Sequence, residues 1–249
     1  MIEYATLTSV GNRSINEDSI GYAKKENKYC FVVCDGLGGH GLGDVASGLV
    51  RDVFLHMFDQ CNEGDVFFEN AFLAAQDILA VEQKQINASQ KMKTTCVSMV
   101  IDEKNVVIAH VGDSRGYVFN KDRVLTRTVD HSIPQMLVLS GDIKESEIRH
   151  HPERSIVLKV MGVEWEKPEY EVKKPIKLSK CQAFLLCTDG FWELIEEVDM
   201  CSALKKASNP KMWLDLMEEK VKENGRGTDM DNYSAIAIWN VREGKRWFF

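Results

Sequence analysis

The sequence predicts an α+β protein in which helices pack as layers against antiparallel sheets. Short runs of β-branched and aromatic residues recur along the chain, and two of these runs are separated by only a few polar residues. Long amphipathic helices come in pairs between the groups of strands. This order differs from the strict strand–helix alternation that builds a parallel sheet.

Each predicted strand is short, apolar and bounded by polar or glycine-containing segments. Two of them are close enough in the chain to form an antiparallel hairpin, namely Thr95–Ile101 and Val106–Val111. The predicted strands are Tyr29–Cys34, Thr95–Ile101, Val106–Val111, Ala183–Cys187 and Ser234–Val241.

Three helices are predicted from apolar residues that recur every three or four positions. The first covers Asp44–Gln60, the second begins near Phe67 and includes Ile78, and the third covers Lys211–Asn224. The segment 131–165 is polar and irregular, with one or two short helices, and we expect it to form a lid.

Composition places the chain among globular proteins and excludes several functions. Its 249 residues suit one or two domains. The 31 Lys and Arg residues and 38 Asp and Glu residues give a net charge of −7, which lacks the basic excess of a nucleic-acid-binding protein. No apolar run is long enough to cross a bilayer and no secretory leader is evident, so we expect a cytoplasmic protein. The seven cysteines include no CxxC pair and are expected to be buried free thiols.

Four aspartates lie where predicted strands begin or end. Asp35, Asp113 and Asp189 each follow an apolar strand, and Asp231 precedes the last one. Each alone could be a turn or capping residue. Antiparallel strands, however, place the end of one beside the start of its neighbour, so four carboxylates can converge on one rim. Such charges need cations between them, and all-oxygen ligands favour Mg²⁺ or Mn²⁺ over zinc. Gly36 lacks a Cβ, which lets its backbone carbonyl approach an ion.

Two further acids, Glu17 and Asp18, lie near the N-terminus, and Arg13 lies just before them. An arginine beside a metal cluster suits a phosphate dianion, which its guanidinium can hold through two hydrogen bonds. A solvated surface loop is the alternative for this segment taken alone.

The glycine-rich run 36–41 matches the GxGxxG pattern of dinucleotide-binding loops and lies between a predicted strand and a helix. Asp35 would place a negative charge beside the pyrophosphate. The region about 20 residues further on, where an acidic residue should end a second strand, is predicted as helix. A dinucleotide-binding oxidoreductase is therefore an alternative hypothesis.

Taken together, these residues resemble the metal-dependent protein phosphatases of the 2C type, in particular the compact bacterial serine/threonine phosphatases. The motifs occur in family order over about residues 5–240, and this order is more specific than any single motif. The matching stretches are Arg13–Asp18, Asp35–His40, Val111–Tyr117, Asp130–Ser132, His151–Ser155, Thr188–Gly190 and Asp231–Asn232.

The resemblance implies a four-layer αββα sandwich, in which helix pairs flank two antiparallel sheets and metal ions lie at one edge. It implies one phosphatase domain over residues 1–241, a flap at about 131–165 and a C-terminal tail at 242–249.

The resemblance also implies roles for the residues singled out above. Arg13 would hold the substrate phosphate, and Glu17 and Asp18 would act near the metals, partly through water. The implied metal ligands are Asp35, the Gly36 carbonyl, Asp189 and Asp231 at two core ions, with Asp113, Asp189 and Ser155 at a third.

The implied activity is hydrolysis of phosphoserine and phosphothreonine in proteins that a serine/threonine kinase has phosphorylated. It would depend on Mn²⁺ or Mg²⁺, and a metal-activated water would attack phosphorus without a covalent phosphoenzyme. We expect a monomer that binds neither nucleic acid nor membrane. A pseudoenzyme that keeps the fold without turnover is the other alternative, and retention of Asp35, Asp189 and Asp231 argues against it.

Two positions depart from the family pattern. Leu37 stands where animal members carry a histidine proposed as the general acid, so another source must protonate the leaving group. Lys93 stands where members usually have glycine before the pair Thr94 and Thr95, which alters a turn near the site but no ligand.

Overall fold

Two antiparallel sheets lie face to face, and helices cover the outer side of each. The computed structural model describes residues 1–37, 41–61, 66–88, 91–120 and 123–241. The glycine-rich positions 38–40 and the tail 242–249 discussed above lie outside the described residues. Within the described ranges, no helix combines the length and hydropathy needed to cross a membrane.

In the part of the chain that the structure describes, eleven strands form the two sheets. The first sheet has the order β1-β11-β10-β6-β7, and the second has the order β2-β3-β4-β5-β8 with β9 also paired to β5. Their bounds are β1 (Ile2–Ser9), β2 (Asp18–Lys25), β3 (Lys28–Asp35), β4 (Cys96–Ile101), β5 (Asn105–Val111), β6 (Arg115–Asn120), β7 (Arg123–Arg127), β8 (Glu171–Val172), β9 (Ile176–Lys177), β10 (Ala183–Cys187) and β11 (Tyr233–Asn240).

All the pairings between these strands are antiparallel, which confirms the predicted hairpin of β4 and β5. A dinucleotide-binding fold requires a mostly parallel sheet with crossover helices. The oxidoreductase hypothesis is therefore wrong for this chain.

Helices flank the sheets in the predicted order. Asn209 caps the last helix by accepting a hydrogen bond from the Met212 N–H at 2.8 Å, and Pro210 occupies its first turn. Segment 131–165 contains one α-helix and a 3₁₀ helix, Glu145–His150. The α-helices are α1 (Gly43–Gln60), α2 (Phe67–Gln85), α3 (Ile133–Ser140), α4 (Asp189–Trp192), α5 (Glu197–Lys206) and α6 (Pro210–Asn224).

Three apolar layers account for the four-layer sandwich, which confirms the fold expected from the resemblance. One layer joins α1 and α2 to the second sheet, one joins α4, α5 and α6 to the first sheet, and one fills the space between the sheets. Central strands are buried on both faces, and they therefore consist of continuous apolar runs. Cys30, Cys34, Cys96 and Cys187 are all buried and free, as predicted.

The register of β3 explains why the rim of the sandwich collects polar groups. Phe31 and Val33 pack between the two sheets. Side chains alternate along a strand, so Asp35 points toward the same space where that space ends. The carboxylate therefore lies at the edge of the inter-sheet core and not under a helix layer.

A buried stack of Arg115 on Trp192 packs beneath the rim, on its core side. The Arg115 guanidinium lies 3.4 Å from the centroid of the Trp192 ring and donates to both carboxylate oxygens of Asp130, at 2.9 and 2.6 Å. The Trp192 Nε1–H donates to the backbone carbonyl of Asp113 at 3.0 Å. The stack therefore fixes the backbone at one of the rim aspartates.

Arg149, in the 3₁₀ helix of segment 131–165, anchors that segment to the same stack. Its guanidinium donates to the Trp192 carbonyl at 3.1 Å, to the Ile195 carbonyl at 3.2 Å and to Glu197 at 2.8 Å. Arg149 is buried, so this part of the segment belongs to the core.

We predict that Asp130→Asn lowers the free energy of unfolding by about 3–5 kcal/mol, because the buried Arg115 charge then keeps only a longer contact with Glu197, at 3.7 Å. Urea denaturation followed by circular dichroism measures the change. Asp77→Asn, on the exposed side of α2, is the matched control and should change stability by less than about 0.5 kcal/mol. Similar values for the two variants would contradict the importance of the pair.

Candidate metal centre

A cleft with a volume of about 530 Å³ opens at the rim where strands of both sheets end. Eight of the nine residues singled out from the sequence line it, and Leu37 lines it as well. The ninth, Asp18, is buried beside them, with 8% of its surface exposed. The eight lining residues are Arg13, Glu17, Asp35, Gly36, Asp113, Ser155, Asp189 and Asp231.

Asp18 and Asp35 face each other across β2 and β3 as direct register partners. One oxygen of Asp18, Oδ2, accepts a hydrogen bond from the Thr188 hydroxyl at 3.0 Å. Its other oxygen, Oδ1, is buried without a partner among the described residues. Burial, with smaller contributions from the charges of Asp189 and Asp231, raises the pKa of Asp18 to about 7. An orphaned carboxylate oxygen at this position fits a cation or a water molecule held by one.

The other buried carboxyl groups of the cleft also resist ionisation. Burial raises the pKa of Asp35 and of Asp113 well above the usual range, and the charge of Asp189 raises both further. Burial likewise raises the pKa of Asp189. Divalent cations reverse this effect because they favour the charged form of every carboxylate around them. The all-oxygen donor set of the cleft thus fits hard ions such as Mg²⁺ or Mn²⁺.

Two threonines hold Asp35 in place. The Asp35 carbonyl accepts hydrogen bonds from the Thr95 N–H and the Thr94 hydroxyl, each at 2.8 Å, and the Thr95 hydroxyl accepts from the Asp35 N–H at 3.1 Å. The preceding Lys93 carbonyl accepts from the Leu37 N–H at 2.9 Å. The turn therefore keeps a backbone hydrogen bond at position 93, although lysine replaces the usual glycine there.

Gly36 has no room for a side chain. A Cβ at this position would lie 2.2 Å from the Gly43 carbonyl oxygen and 2.7 Å from the Glu17 carbonyl oxygen. The Gly36 N–H donates to the same Glu17 carbonyl at 3.1 Å. The end of β3, the start of α1 and the N-terminal loop therefore meet at one glycine beside the cleft.

Asn232 ties the N-terminal loop to the rim, a role that the sequence did not reveal. Its side-chain amide donates to the Val10 carbonyl at 2.9 Å and to the Ile15 carbonyl at 3.0 Å, and its Oδ1 accepts from the Glu17 N–H at 2.8 Å. The only sequence signal was its position after Asp231, because the partners lie more than 200 residues away in the chain.

Arg13 lies at the mouth of the cleft, as its position beside the acidic cluster predicted. Its Nε donates to one Asp231 oxygen at 3.0 Å and its Nη2 to the other at 3.1 Å, while its Nη1 donates to Asp229 at 2.8 Å. The Arg13 side chain remains 43% exposed. Its planar fork is therefore accessible to anions that enter from solvent.

Segment 131–165 contributes Ser155 and Val157 to the cleft wall. Arg154 from the same segment pairs with Glu193 at 2.9 Å, next to α4. Burial, with the charge of Asp189, raises the pKa of Glu193 to about 7. A second cleft of about 680 Å³ lies beside the first and shares Arg13, Ser155, Asp189 and Asp231 with it, so the two form one continuous depression.

Comparisons with known proteins identify relatives that share this fold. A serine/threonine phosphatase, stp, of Listeria innocua is 30% identical over 241 residues, which cover 91% of this chain and 90% of that protein. The crystal structure of serine/threonine phosphatase Stp1 from Staphylococcus aureus superimposes with a TM-score of 0.87 at 31% identity, covering 97% of this chain and 96% of that one. A structure of the PstP catalytic domain in complex with two manganese ions has a TM-score of 0.81 at 23% identity, covering 97% and 99% of the two chains.

The family assignment agrees with these relatives. The family model for protein phosphatase 2C matches residues 9–224, a range that carries all the cleft residues except Asp231 and Asn232. By this match and by its likeness to the Listeria protein, the chain belongs to the protein phosphatase 2C family.

Proposed function

We propose that the protein removes phosphate from phosphoserine and phosphothreonine in phosphorylated proteins, with divalent cations at the rim and without a covalent phosphoenzyme. The observation that carries this proposal is the convergence of six carboxylates and one accessible arginine in a single cleft. The family assignment supports the serine/threonine phosphatase activity itself.

The ligand roles proposed for the cleft are those that the resemblance to the 2C-type phosphatases implies, and the oxygen donors in its lining are compatible with them. Asp35, the Gly36 carbonyl, Asp189 and Asp231 would hold two core ions of Mn²⁺ or Mg²⁺. Asp113 and Ser155, together with Asp189, would hold a third ion, and Glu17 and Asp18 would act partly through water. When bound, such ions lower the pKa of water and neutralise phosphate charge. The two manganese ions in the PstP structure support this assignment.

Arg13 would bind the phosphate oxygens of the substrate. A guanidinium forms two parallel hydrogen bonds with a phosphate as readily as with a carboxylate. In the structure this fork is directed at Asp231 and Asp229. A cation held by the Asp231 carboxylate would compete with Arg13 for that carboxylate and would leave the fork for a phosphate dianion.

The groups that line the cleft do not favour a protein nucleophile. Among its described residues there is neither a cysteine nor a histidine, so no thiolate and no serine–histidine pair is available there. The buried Cys34 and Cys187 are fully inaccessible, and burial raises the pKa of the Cys187 thiol well above its usual value. The lack of thiol and histidine groups in the described lining supports attack by water over attack by a cysteine or an activated serine.

The depression formed by the two adjoining clefts would accommodate the peptide around the phosphorylated residue. Arg154 and His150 line its second part. The natural partners would be proteins phosphorylated by a serine/threonine kinase. Action in the cytoplasm, a monomeric state, and a flap that moves at about 131–165 within a single domain over residues 1–241 stay predictions from the sequence.

The decisive experiment measures hydrolysis of p-nitrophenyl phosphate and of a phosphothreonine peptide with Mn²⁺, with Mg²⁺, with EDTA and with no addition. We expect activity with either ion and none with EDTA, because the buried carboxylates cannot polarise water alone. Full activity after exhaustive chelation would contradict the metal centre. A folded chain that binds the ions but turns over neither substrate would instead favour the pseudoenzyme hypothesis.

We predict that Arg13→Ala raises KM and also lowers kcat, because phosphate contacts strengthen in the transition state. The expected loss of kcat/KM is on the order of 100-fold. Arg123→Ala is the matched control, since Arg123 is exposed on β7 and does not line the cleft. Steady-state kinetics on the phosphothreonine peptide measure both variants, and equal small effects would refute the phosphate role.

We predict that Asp113→Ala leaves the core ions bound but lowers turnover, because it removes a ligand of the third ion only. If water near that ion supplies the leaving-group proton that a histidine at position 37 would supply, the loss should depend on the substrate. We expect on the order of 100-fold on a phosphothreonine peptide, whose alkoxide needs the proton, and less on p-nitrophenyl phosphate.

Metal-binding calorimetry and both assays on the Asp113→Ala variant provide the test. Equal losses on the two substrates would show that Asp113 has another role. Loss of metal binding by the two core ions in this variant would likewise show that Asp113 has another role.

A further inference from the structure

Away from the rim cleft, three side chains with metal-binding atoms converge at one side of the second sheet. His110 on β5 and Glu171 on β8 are direct register partners. His131 lies against His110, with the two ring centroids 4.7 Å apart. One candidate ligand atom from each of the three residues lies within 4.8 Å of the others. We propose that His110, His131 and Glu171 form a separate site for a zinc ion.

The hydrogen bonding of His110 prepares one ring nitrogen for a metal. Its Nε2 lies 2.7 Å from the Val129 carbonyl, which can only accept, so Nε2 carries the proton. The other nitrogen, Nδ1, then presents a lone pair. It is buried and has no partner among the described residues. A backbone carbonyl that fixes the tautomer in this way is the usual outer partner of a metal-binding histidine.

The charges around the site allow a divalent cation to bind. Burial keeps both imidazoles neutral, since it lowers the pKa of His110 and lowers that of His131 to about 3. Glu171 supplies a negative charge, and its side chain is 47% exposed, which gives an ion access from solvent.

Three other charged groups lie close to the cluster. The Lys173 ammonium lies 3.8 Å from the Glu171 carboxylate, a long contact that a bound ion can displace. The Lys159 ammonium pairs with Glu169 at 3.1 Å. Asp130 is held by Arg115 and is not available as a ligand. The cluster therefore offers one carboxylate, held only by a long contact with Lys173, and two neutral rings.

The donor atoms of this histidine site favour a different metal ion than the donor atoms of the rim cleft do. Two imidazole nitrogens and one carboxylate oxygen, with water as the fourth ligand, are typical of zinc, whereas the rim offers oxygen alone. Mg²⁺ prefers oxygen ligands and retains its water, so it should leave the histidine site free. The two sites can therefore be occupied by different ions at the same time.

Binding would also affect the backbone near the catalytic cleft. The Gly112 N–H donates to His131 Nδ1 at 3.2 Å. If His131 binds the ion through Nδ1, the lone pair that accepts from Gly112 is used by the metal. If His131 binds the ion through Nε2, the ring proton moves from Nε2 to Nδ1, and Nδ1 can no longer accept. The hydrogen bond to Gly112 is lost in either case, and Gly112 directly precedes Asp113.

The test titrates zinc into the full chain by calorimetry with Mg²⁺ in saturating excess, and records zinc-edge X-ray absorption on the complex. We expect one zinc ion that Mg²⁺ does not displace, with outer-shell scattering from imidazole rings. Glu171→Gln should weaken zinc binding at least tenfold, and His131→Asn should remove the imidazole signal of one ring. Glu166→Gln is the control, because Glu166 is exposed and lies five residues before Glu171 in the chain. This variant should bind zinc like the unmodified chain.

Several results would overturn the site. These are zinc binding that Mg²⁺ abolishes, an absorption spectrum without imidazole scattering, or equal zinc affinity in Glu171→Gln and the control. Because zinc binding is measured without turnover, these results are independent of whether the rim hydrolyses phosphate esters. Circular dichroism on each variant confirms folding, which the exposed position of Glu171 favours.

Discussion

Repulsion between carboxyl groups at one rim is the constraint on which the surrounding structure depends. Asp18 and Asp113 are buried and Asp35 and Asp189 are half-buried in one place, and desolvation raises the pKa of each. Because ionised carboxyl groups repel one another, neighbouring elements must hold these side chains in place. Backbone and side-chain hydrogen bonds from Thr94, Thr95, Thr188, Asn232 and Trp192 provide that support.

Of the six central strands in the described ranges, five were predictable from the sequence for one physical reason, whereas β6, which begins with Arg115 and Gly116, was missed. Strands buried on both faces consist of unbroken apolar runs, and an acidic residue at the end of such a run is conspicuous, as at Asp35 and Asp189. Edge strands lack this signal. In β1, exposed and half-buried residues alternate, and β2 begins with Asp18 and carries two lysines at its end, so neither is distinct from a polar loop.

Interactions between distant residues were not predictable, because one sequence carries no record of which side chains meet. Sequence spacing places Arg13 near the acidic residues but does not reveal that its fork spans Asp231 and Asp229. It places His110 in a strand without indicating that Glu171 lies opposite. Family order, rather than periodicity, supplied the roles proposed for Ser155 and Asp113, which are otherwise ordinary turn residues.

The strand order makes the rim that carries the cleft one of the last parts of the described fold to form during synthesis. Strands β2 to β5 pair with near neighbours in the chain and can assemble as they emerge. Strand β1 instead pairs with β11, and at about 5–20 residues per second it waits on the order of 10–50 s for that partner. Asp231 immediately precedes this closing strand. A ribosome-bound chain can therefore hold Asp18 and Asp35 in paired strands while Asp231, beside the closing strand, is not yet in place.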